Sequence, residues 1–187
     1  MCIRDRCKTV NNIATAALFC VPTLVYVLVK RRTPAAARRL MGLTLGERTD
    51  YLWTALATVV LGALAFATTL VIPADIIGSA GATNRITTLV VGVGVALRSA
   101  AEEVLFRGFF QGLLARKFGR WPGIVLQALL FLLPHLVILT AGMQLWPILP
   151  IQFVVGVILG WVRSRHDSVL PGALSHALVN VMAGLLL

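Results

Sequence analysis

Long, uninterrupted apolar segments dominate the chain, and their residues do not alternate between apolar and polar. Each segment has about the length that crosses the hydrocarbon core of a bilayer as a helix. Continuous apolar runs favour helices, which satisfy their own backbone hydrogen bonds in lipid. The pattern predicts an all-α fold, a polytopic transmembrane helix bundle with about six spans, at 12–29, 52–72, 87–114, 122–140, 147–162 and 169–187.

The composition supports a membrane protein. Hydrophobic residues make up 58% of the 187 residues and charged residues only 13%, whereas soluble domains carry roughly 25% charged residues. Because so few charges could not cover a water-exposed surface, lipid must solvate much of the chain. We therefore expect an integral membrane protein with the lipid bilayer as its main partner.

The net charge of +10 has a topological explanation. In a soluble protein it would suggest nucleic acid as a partner. Here, however, the loops between successive spans hold six, one, three, zero and two basic residues. This alternation is typical of the positive-inside rule and predicts cytoplasmic basic loops with both termini outside. No nucleic-acid partner is expected.

The first eight residues disagree with this topology. Residues 1–8 contain three basic side chains on the side expected to be outside. The string Met-Cys-Ile-Arg-Asp-Arg also resembles translated sequencing-adaptor sequence. We therefore expect residues 1–8 to be non-native and the chain to be truncated at its N-terminus, with one or more helices lost.

Four charged residues lie inside the third span: Arg98, Glu102, Glu103 and Arg107. Each costs at least ~2.5–3.5 kcal/mol at the centre of a bilayer, which implies function or tight pairing. Glu103 and Arg107 are four residues apart and can pair on one face. Glu102 lies about 100° away, so we expect it to remain free for chemistry. Arg98 could pair with Glu102 instead, and the four charges would then form a neutral ladder.

Two other spans carry polar residues at overlapping depths. His135 lies in the fourth span, and His176 and Asn180 lie on one face of the sixth. Glu102 and His135 are both about 20 Å from the cytoplasmic helix ends, and His176 and Asn180 are roughly 10 and 16 Å from them. These side chains could serve only in packing and in hydrogen bonds between helices. Their overlapping depths below one membrane face instead predict a shared polar pocket.

Three motifs on these spans resemble those of a known family. The segment Glu102–Arg107 resembles the EExxxR motif of the CAAX-protease and bacteriocin-processing (CPBP, or ABI) family of intramembrane endopeptidases. Phe131 with His135 resembles its FxxxH motif, and His176 with Asn180 its HxxxN motif. The similarity covers about residues 95–185. It divides the chain into N-terminal transmembrane helices, 1–86, and a protease core of the CPBP type, 87–187.

The resemblance implies an enzyme of the bacterial plasma membrane that hydrolyses peptide bonds in or beside the bilayer. Its substrates would be membrane-associated peptides or proteins. Glu102 would be catalytic, and His135 would be the second partner of the attacking water. His176 and Asn180 would hold the oxyanion, with supporting roles for Glu103 and Arg107. Members of the family commonly have more than six helices, which agrees with a lost N-terminal piece.

Three alternatives remain open from the sequence. The first is a zinc-dependent protease with Glu102, His135 and His176 as ligands and an open position for water. We favour the metal-free mechanism because neither Glu-x-x-His nor His-Glu-x-x-His occurs on one helix. The second is a non-catalytic immunity or interaction protein. The third is a small proton-coupled transporter, which would usually show internal repeats, and none is evident.

Overall fold

The computed structural model describes residues 3–30, 33–72, 76, 85–166 and 168–186, and it contains no strand within them. Each of the six expected spans falls on helical residues, so the all-α bundle is confirmed. The elements are α1 (Ile3–Val29), α2 (Pro34–Met41), α3 (Arg48–Val71), α4 (Leu89–Glu103), a π-helical segment (Val104–Phe110), α5 (Gln111–Phe118), α6 (Arg120–His135), two 3₁₀ segments (Leu136–Thr140 and Met143–Leu145), α7 (Ile148–His166) and α8 (Leu170–Leu186).

The outer surface of the bundle is apolar. Leu28 is 74% exposed and Leu89 is 84% exposed, and many other aliphatic and aromatic side chains also face outward. Lipid is the solvent that such a surface requires. The chain is therefore an integral membrane protein. Among the described residues, four stretches are long and apolar enough to span a bilayer: Asp5–Val29, Arg48–Val71, Arg120–Thr140 and Met143–Arg165.

The first helix begins earlier than its apolar pattern predicts. It starts at Ile3 rather than near residue 12. Asp5 is buried, and its Oδ1 accepts a hydrogen bond of 2.6 Å from the Thr87 hydroxyl. Lys8 Nζ donates to the Arg85 carbonyl at 3.1 Å. These contacts hold the polar start of α1 against Arg85 and Thr87, which lie just before α4. The non-native origin of residues 1–8 stays a prediction.

The third span is interrupted by a π-helical segment that the sequence does not reveal. The Gln111 N–H bonds to the carbonyl of Phe106, five residues earlier, which is the wider spacing of a π-helix. The segment carries bulky side chains that pack against Phe131 of α6 in one buried aromatic cluster. The π-helical segment takes the place of a regular α-helical turn immediately after Glu103. The buried members of the cluster are Leu105, Phe106, Phe109 and Phe131.

A short helix in the first basic loop covers the π-helical segment. The Thr33 hydroxyl caps the N-terminus of α2 by accepting from the Ala36 N–H, and Gly42 ends the helix at φ 66°. The C-terminus of α2 lies directly on Gly108: a Cβ atom there would be 2.7 Å from the Met41 carbonyl oxygen. A glycine is therefore required for this approach. The helix brings basic residues of the loop to the end of the bundle.

Helices α6 and α7 pack closely through two glycines. A Cβ atom at Gly156 would lie 2.9 Å from Ala128 Cβ. Gln127 Nε2 donates to the Gly156 carbonyl at 2.7 Å, and Gln111 Nε2 donates to the Gly160 carbonyl at the same distance. Small residues four apart, with amide side chains bonding across helices, are a common way to join helices in lipid. The contacts at Gly156 fix α6, which carries His135, and the contact of Gln111 with Gly160 joins α5 to α7.

We expect Gly156→Ala to destabilise the bundle by about 1–3 kcal/mol, because the added methyl group collides with α6. Gly62→Ala is the matched control, since a Cβ atom at Gly62 would meet nothing within 4 Å. The control should be neutral or more stable by up to about 1 kcal/mol, from helix propensity alone. Unfolding by SDS titration in mixed micelles measures both variants. Equal changes in the free energy of unfolding of the two variants would contradict the close packing of α6 on α7 at Gly156.

Candidate active site

Two glutamates at the end of α4 form the acidic part of the site. Glu102 is 8% exposed and Glu103 only 1% exposed. Arg107 Nη1 lies 2.8 Å from Glu103 Oε1, and Arg98 Nε lies 3.4 Å from Glu102 Oε1. Both ion pairs follow the four-residue spacing of a helix, as in the neutral ladder that the sequence allows. The pair of Glu103 is the shorter and more deeply buried of the two.

His176 of α8 lies between the two glutamates. Its Nδ1 is 2.7 Å from Glu103 Oε1, and its Nε2 is 3.9 Å from Glu102 Oε2. A carboxylate can only accept a hydrogen bond, so the Nδ1–H of His176 donates to Glu103. The distance to Glu102 exceeds that of a direct hydrogen bond. Glu103 therefore orients the ring, while its second nitrogen faces Glu102 across a gap.

Arg107 completes a buried series of charged side chains behind His176. Its side chain is fully buried, and its Cζ atom lies 4.2 Å from the centre of the Phe131 ring. A guanidinium over an aromatic face is attracted to it, and this attraction is stronger away from water. Arg107, Glu103 and His176 thus form a continuous series of charged contacts across two helices. The series holds the histidine in one orientation.

His135 lies at the end of α6 and is half-buried. Its Nδ1 is 2.8 Å from the Phe131 carbonyl oxygen. Because a carbonyl can only accept, Nδ1 carries the proton, and Nε2 of the neutral ring holds a lone pair. The Phe131 ring centre lies 4.6 Å from that of His135 and 6.0 Å from that of His176. Among the described residues, His135 makes no direct hydrogen bond to either glutamate.

Asn180 is held by a residue that the sequence analysis does not single out. Its Nδ2 donates to the Ser99 hydroxyl at 2.9 Å, and that hydroxyl donates to the Val95 carbonyl at 3.0 Å. One N–H of the amide is therefore occupied, and the second has no hydrogen-bond partner among the described residues. Ser99 is buried and lies three residues before Glu102, on the same helix. A small polar residue one turn from the charged pair is the signal that could have identified it.

The proposed zinc ligands are not arranged as a metal site. No group of three or more His, Cys, Asp or Glu side chains in the described part of the chain could hold a metal ion. The Nδ1–H of His176 bonds to Glu103, and its Nε2 is 3.9 Å from Glu102. A carboxylate on the other ring nitrogen is also the usual partner of a metal-bound histidine. The choice between the zinc-dependent and the metal-free mechanism therefore stays a prediction.

Comparison with known proteins assigns the chain to a family. The family model described as type II CAAX prenyl endopeptidase Rce1-like matches residues 83–182, more than half of the 187 residues. The matched range contains all the motif residues discussed above, and the match confirms the resemblance that those motifs indicate. No curated protein and no solved structure matches the chain.

Proposed function

Because the chain belongs to the type II CAAX prenyl endopeptidase Rce1-like family, we propose that it is an endopeptidase of membrane-associated substrates in which Glu102 and His135 activate the water. The proposal depends most on the unequal surroundings of the two glutamates. Glu103 is occupied by Arg107 and His176 at 2.8 and 2.7 Å. Glu102 instead faces the second nitrogen of His176 across 3.9 Å. Glu102 is therefore the carboxylate with room for a water.

The water donates one hydrogen to Glu102 and the other to Nε2 of His135. Nε2 can accept because Nδ1–H donates to the Phe131 carbonyl. As the water oxygen bonds to the scissile carbonyl carbon, Glu102 takes its proton and the carbonyl oxygen becomes an oxyanion. When the C–N bond breaks, Glu102 returns this proton to the leaving amine. General base catalysis of this kind contributes about 10²–10⁴-fold to rate.

The oxyanion is stabilised by His176 and Asn180. In the imidazolium form His176 donates from both nitrogens, with Nδ1–H to Glu103 and Nε2–H to the oxyanion. The free N–H of the Asn180 amide is the second donor, since Ser99 occupies the first. Each donor of an oxyanion hole is worth about 10²–10³-fold in kcat. Arg107 has a supporting role, because it neutralises Glu103 away from the substrate.

The experiment is cleavage of lipid-anchored peptides by the purified protein in proteoliposomes. The peptides should include prenylated and unprenylated forms, with product termini identified by mass spectrometry. We expect internal cleavage near the bilayer that a chelator does not reduce. The same liposomes with Glu102→Gln protein are the control. If every peptide stays intact, the proposed protease activity is refuted. If a chelator abolishes cleavage and added zinc restores it, the metal-free mechanism is refuted.

We expect Ser99→Ala to lower kcat about tenfold while KM changes little, because the Asn180 amide loses the contact that orients it. Ser99→Thr should restore part of the rate by keeping a hydroxyl. Ser175→Ala is the matched control: Ser175 is also buried, but its hydroxyl contacts Thr58 rather than a motif residue. Equal losses in the two alanine variants would show that Ser99 has only a packing role.

A further inference from the structure

A cavity with arginines as half of its lining residues lies beside the candidate active site. Its volume is about 550 Å³, within the range of small-molecule sites in proteins. Five of its ten lining residues are arginines, and no acidic residue of the described chain is among the ten. The charged lining residues are Arg39, Arg107, Arg116, Arg120 and Arg163.

The fold gathers these arginines from separate elements of the chain. Arg39 comes from α2, Arg116 from α5 and Arg163 from α7. The Arg163 guanidinium packs so closely on Gly42 that a Cβ atom there would be 2.5 Å from Nη2. Arg120 Nε donates to the Ser164 hydroxyl at 3.0 Å. Arg39, Arg116 and Arg120 place like charges around one cavity, so an anion between these three would reduce their repulsion.

The inner end of the cavity has a buried acceptor without a donor. Arg107 is buried there, but its Nη1 is 2.8 Å from Glu103 Oε1, so its charge is already paired. Gln111 is 4% exposed, and its Oε1 has no donor among the described residues. Gln111 Nε2 is already used, because it donates to the Gly160 carbonyl. The cavity thus offers several N–H donors and one acceptor.

We propose that this cavity binds an anionic phosphodiester that carries free hydroxyl groups, the chemistry of a phosphatidylglycerol headgroup. Arginines bind phosphate oxygens with paired hydrogen bonds. A hydroxyl group of the ligand would donate to Gln111 Oε1, because the ionised phosphodiester group itself has no O–H to donate. Basic pockets between transmembrane helices on the cytoplasmic side are sites for anionic headgroups. The cavity lies at the helix ends that carry the basic loops.

Binding at this cavity does not depend on the proposed protease function. The probes are phosphatidylglycerol and phosphatidylcholine in nanodiscs that hold the full chain, together with soluble glycerophosphoglycerol added to protein in detergent. Lipid retention is measured by native mass spectrometry, and the soluble ligand by thermal shift. The Glu102→Gln protein can be used throughout, because catalysis is not required. A loss of proteolysis would therefore leave the binding result unchanged.

The test variant is Arg39→Gln/Arg116→Gln, which removes two exposed arginines of the cavity. Its matched control is Lys117→Gln/Arg165→Gln, which removes the same charge near the same loops. Lys117 and Arg165 are outside the cavity and lie over aromatic rings. We expect the first variant to weaken retention of phosphatidylglycerol at least about tenfold and the second at most about twofold.

The outcomes distinguish the sources of the ligand. Selective retention of phosphatidylglycerol that the cavity variant loses supports a lipid headgroup. A thermal shift with glycerophosphoglycerol alone, also lost in the cavity variant, supports a soluble ligand of the same chemistry. Excess glycerophosphoglycerol should displace the lipid from the wild type, a test that needs no substitution. Equal losses in both variants, or no preference over phosphatidylcholine with no thermal shift, would overturn the proposal.

Discussion

Glu102→Gln is expected to lower kcat/KM for a membrane-anchored peptide by about 10²–10⁴-fold, the usual contribution of a general base. Glutamine keeps the shape of the side chain but has no basic oxygen to take a proton from water. The fold should survive, because the neighbouring Arg98 lies 3.4 Å away and is partly exposed. Initial rates in proteoliposomes measure the loss, and circular dichroism with thermal unfolding measures the fold.

Glu103→Gln is the informative comparison, since it makes the same chemical change at the adjacent position. It removes the charge that holds both Arg107 and His176. We therefore expect a loss of stability together with a partial loss of rate. An active Glu102→Gln enzyme beside an inactive but folded Glu103→Gln enzyme would transfer the role of base to Glu103.

Arg107→Leu is expected to destabilise the protein by about 3–5 kcal/mol, because it leaves Glu103 buried without its cation. The two side chains are 0% and 1% exposed, so water cannot replace the lost partner. The cation–π contact with Phe131 is lost as well. SDS titration or thermal unfolding in detergent measures the change.

Two further variants test this explanation. Arg98→Leu should lower the free energy of unfolding much less than Arg107→Leu does. The distance from Arg98 to Glu102 is longer, at 3.4 Å, and the Arg98 side chain is 24% exposed. The double variant Glu103→Gln/Arg107→Leu should recover most of the lost stability by removing the unpaired charge, and it should stay poorly active because His176 has lost its carboxylate. A double variant no more stable than Arg107→Leu would contradict the assignment.

Much of the fold could be predicted from hydrophobicity alone. Each long apolar run forms a helix, since lipid leaves the backbone few other ways to satisfy its hydrogen bonds. Helical spacing also gave the pair of Glu103 with Arg107, because that contact lies within one helix. Boundaries were less predictable: α1 starts at Ile3 through contacts with residues that lie more than 75 positions later.

Contacts between helices could not be predicted in the same way. Periodicity places His176 on a face but does not say that its Nδ1 meets Glu103 while its Nε2 faces Glu102. The partner of Asn180 depends on how α8 packs on α4, so Ser99 was missed. The aromatic residues of the π-helical segment pack on α6, and a local pattern does not encode such a contact between helices. The roles of these residues in catalysis stay predictions.

The π-helical segment separates two groups of residues on one continuous helical path. Glu102 and Glu103 precede the segment, whereas Gln111 and Arg116 of the basic cavity follow it on α5. A π turn corresponds to an α-helix with one inserted residue, and each residue of an α-helix turns the chain by about 100°. Deleting one residue between 104 and 110 would relax the helix and rotate Gln111 and Arg116, two residues of the basic cavity, relative to the acidic pair. Insertions and deletions should therefore be tolerated less here than substitutions, because the length of the segment sets the angle between the two regions.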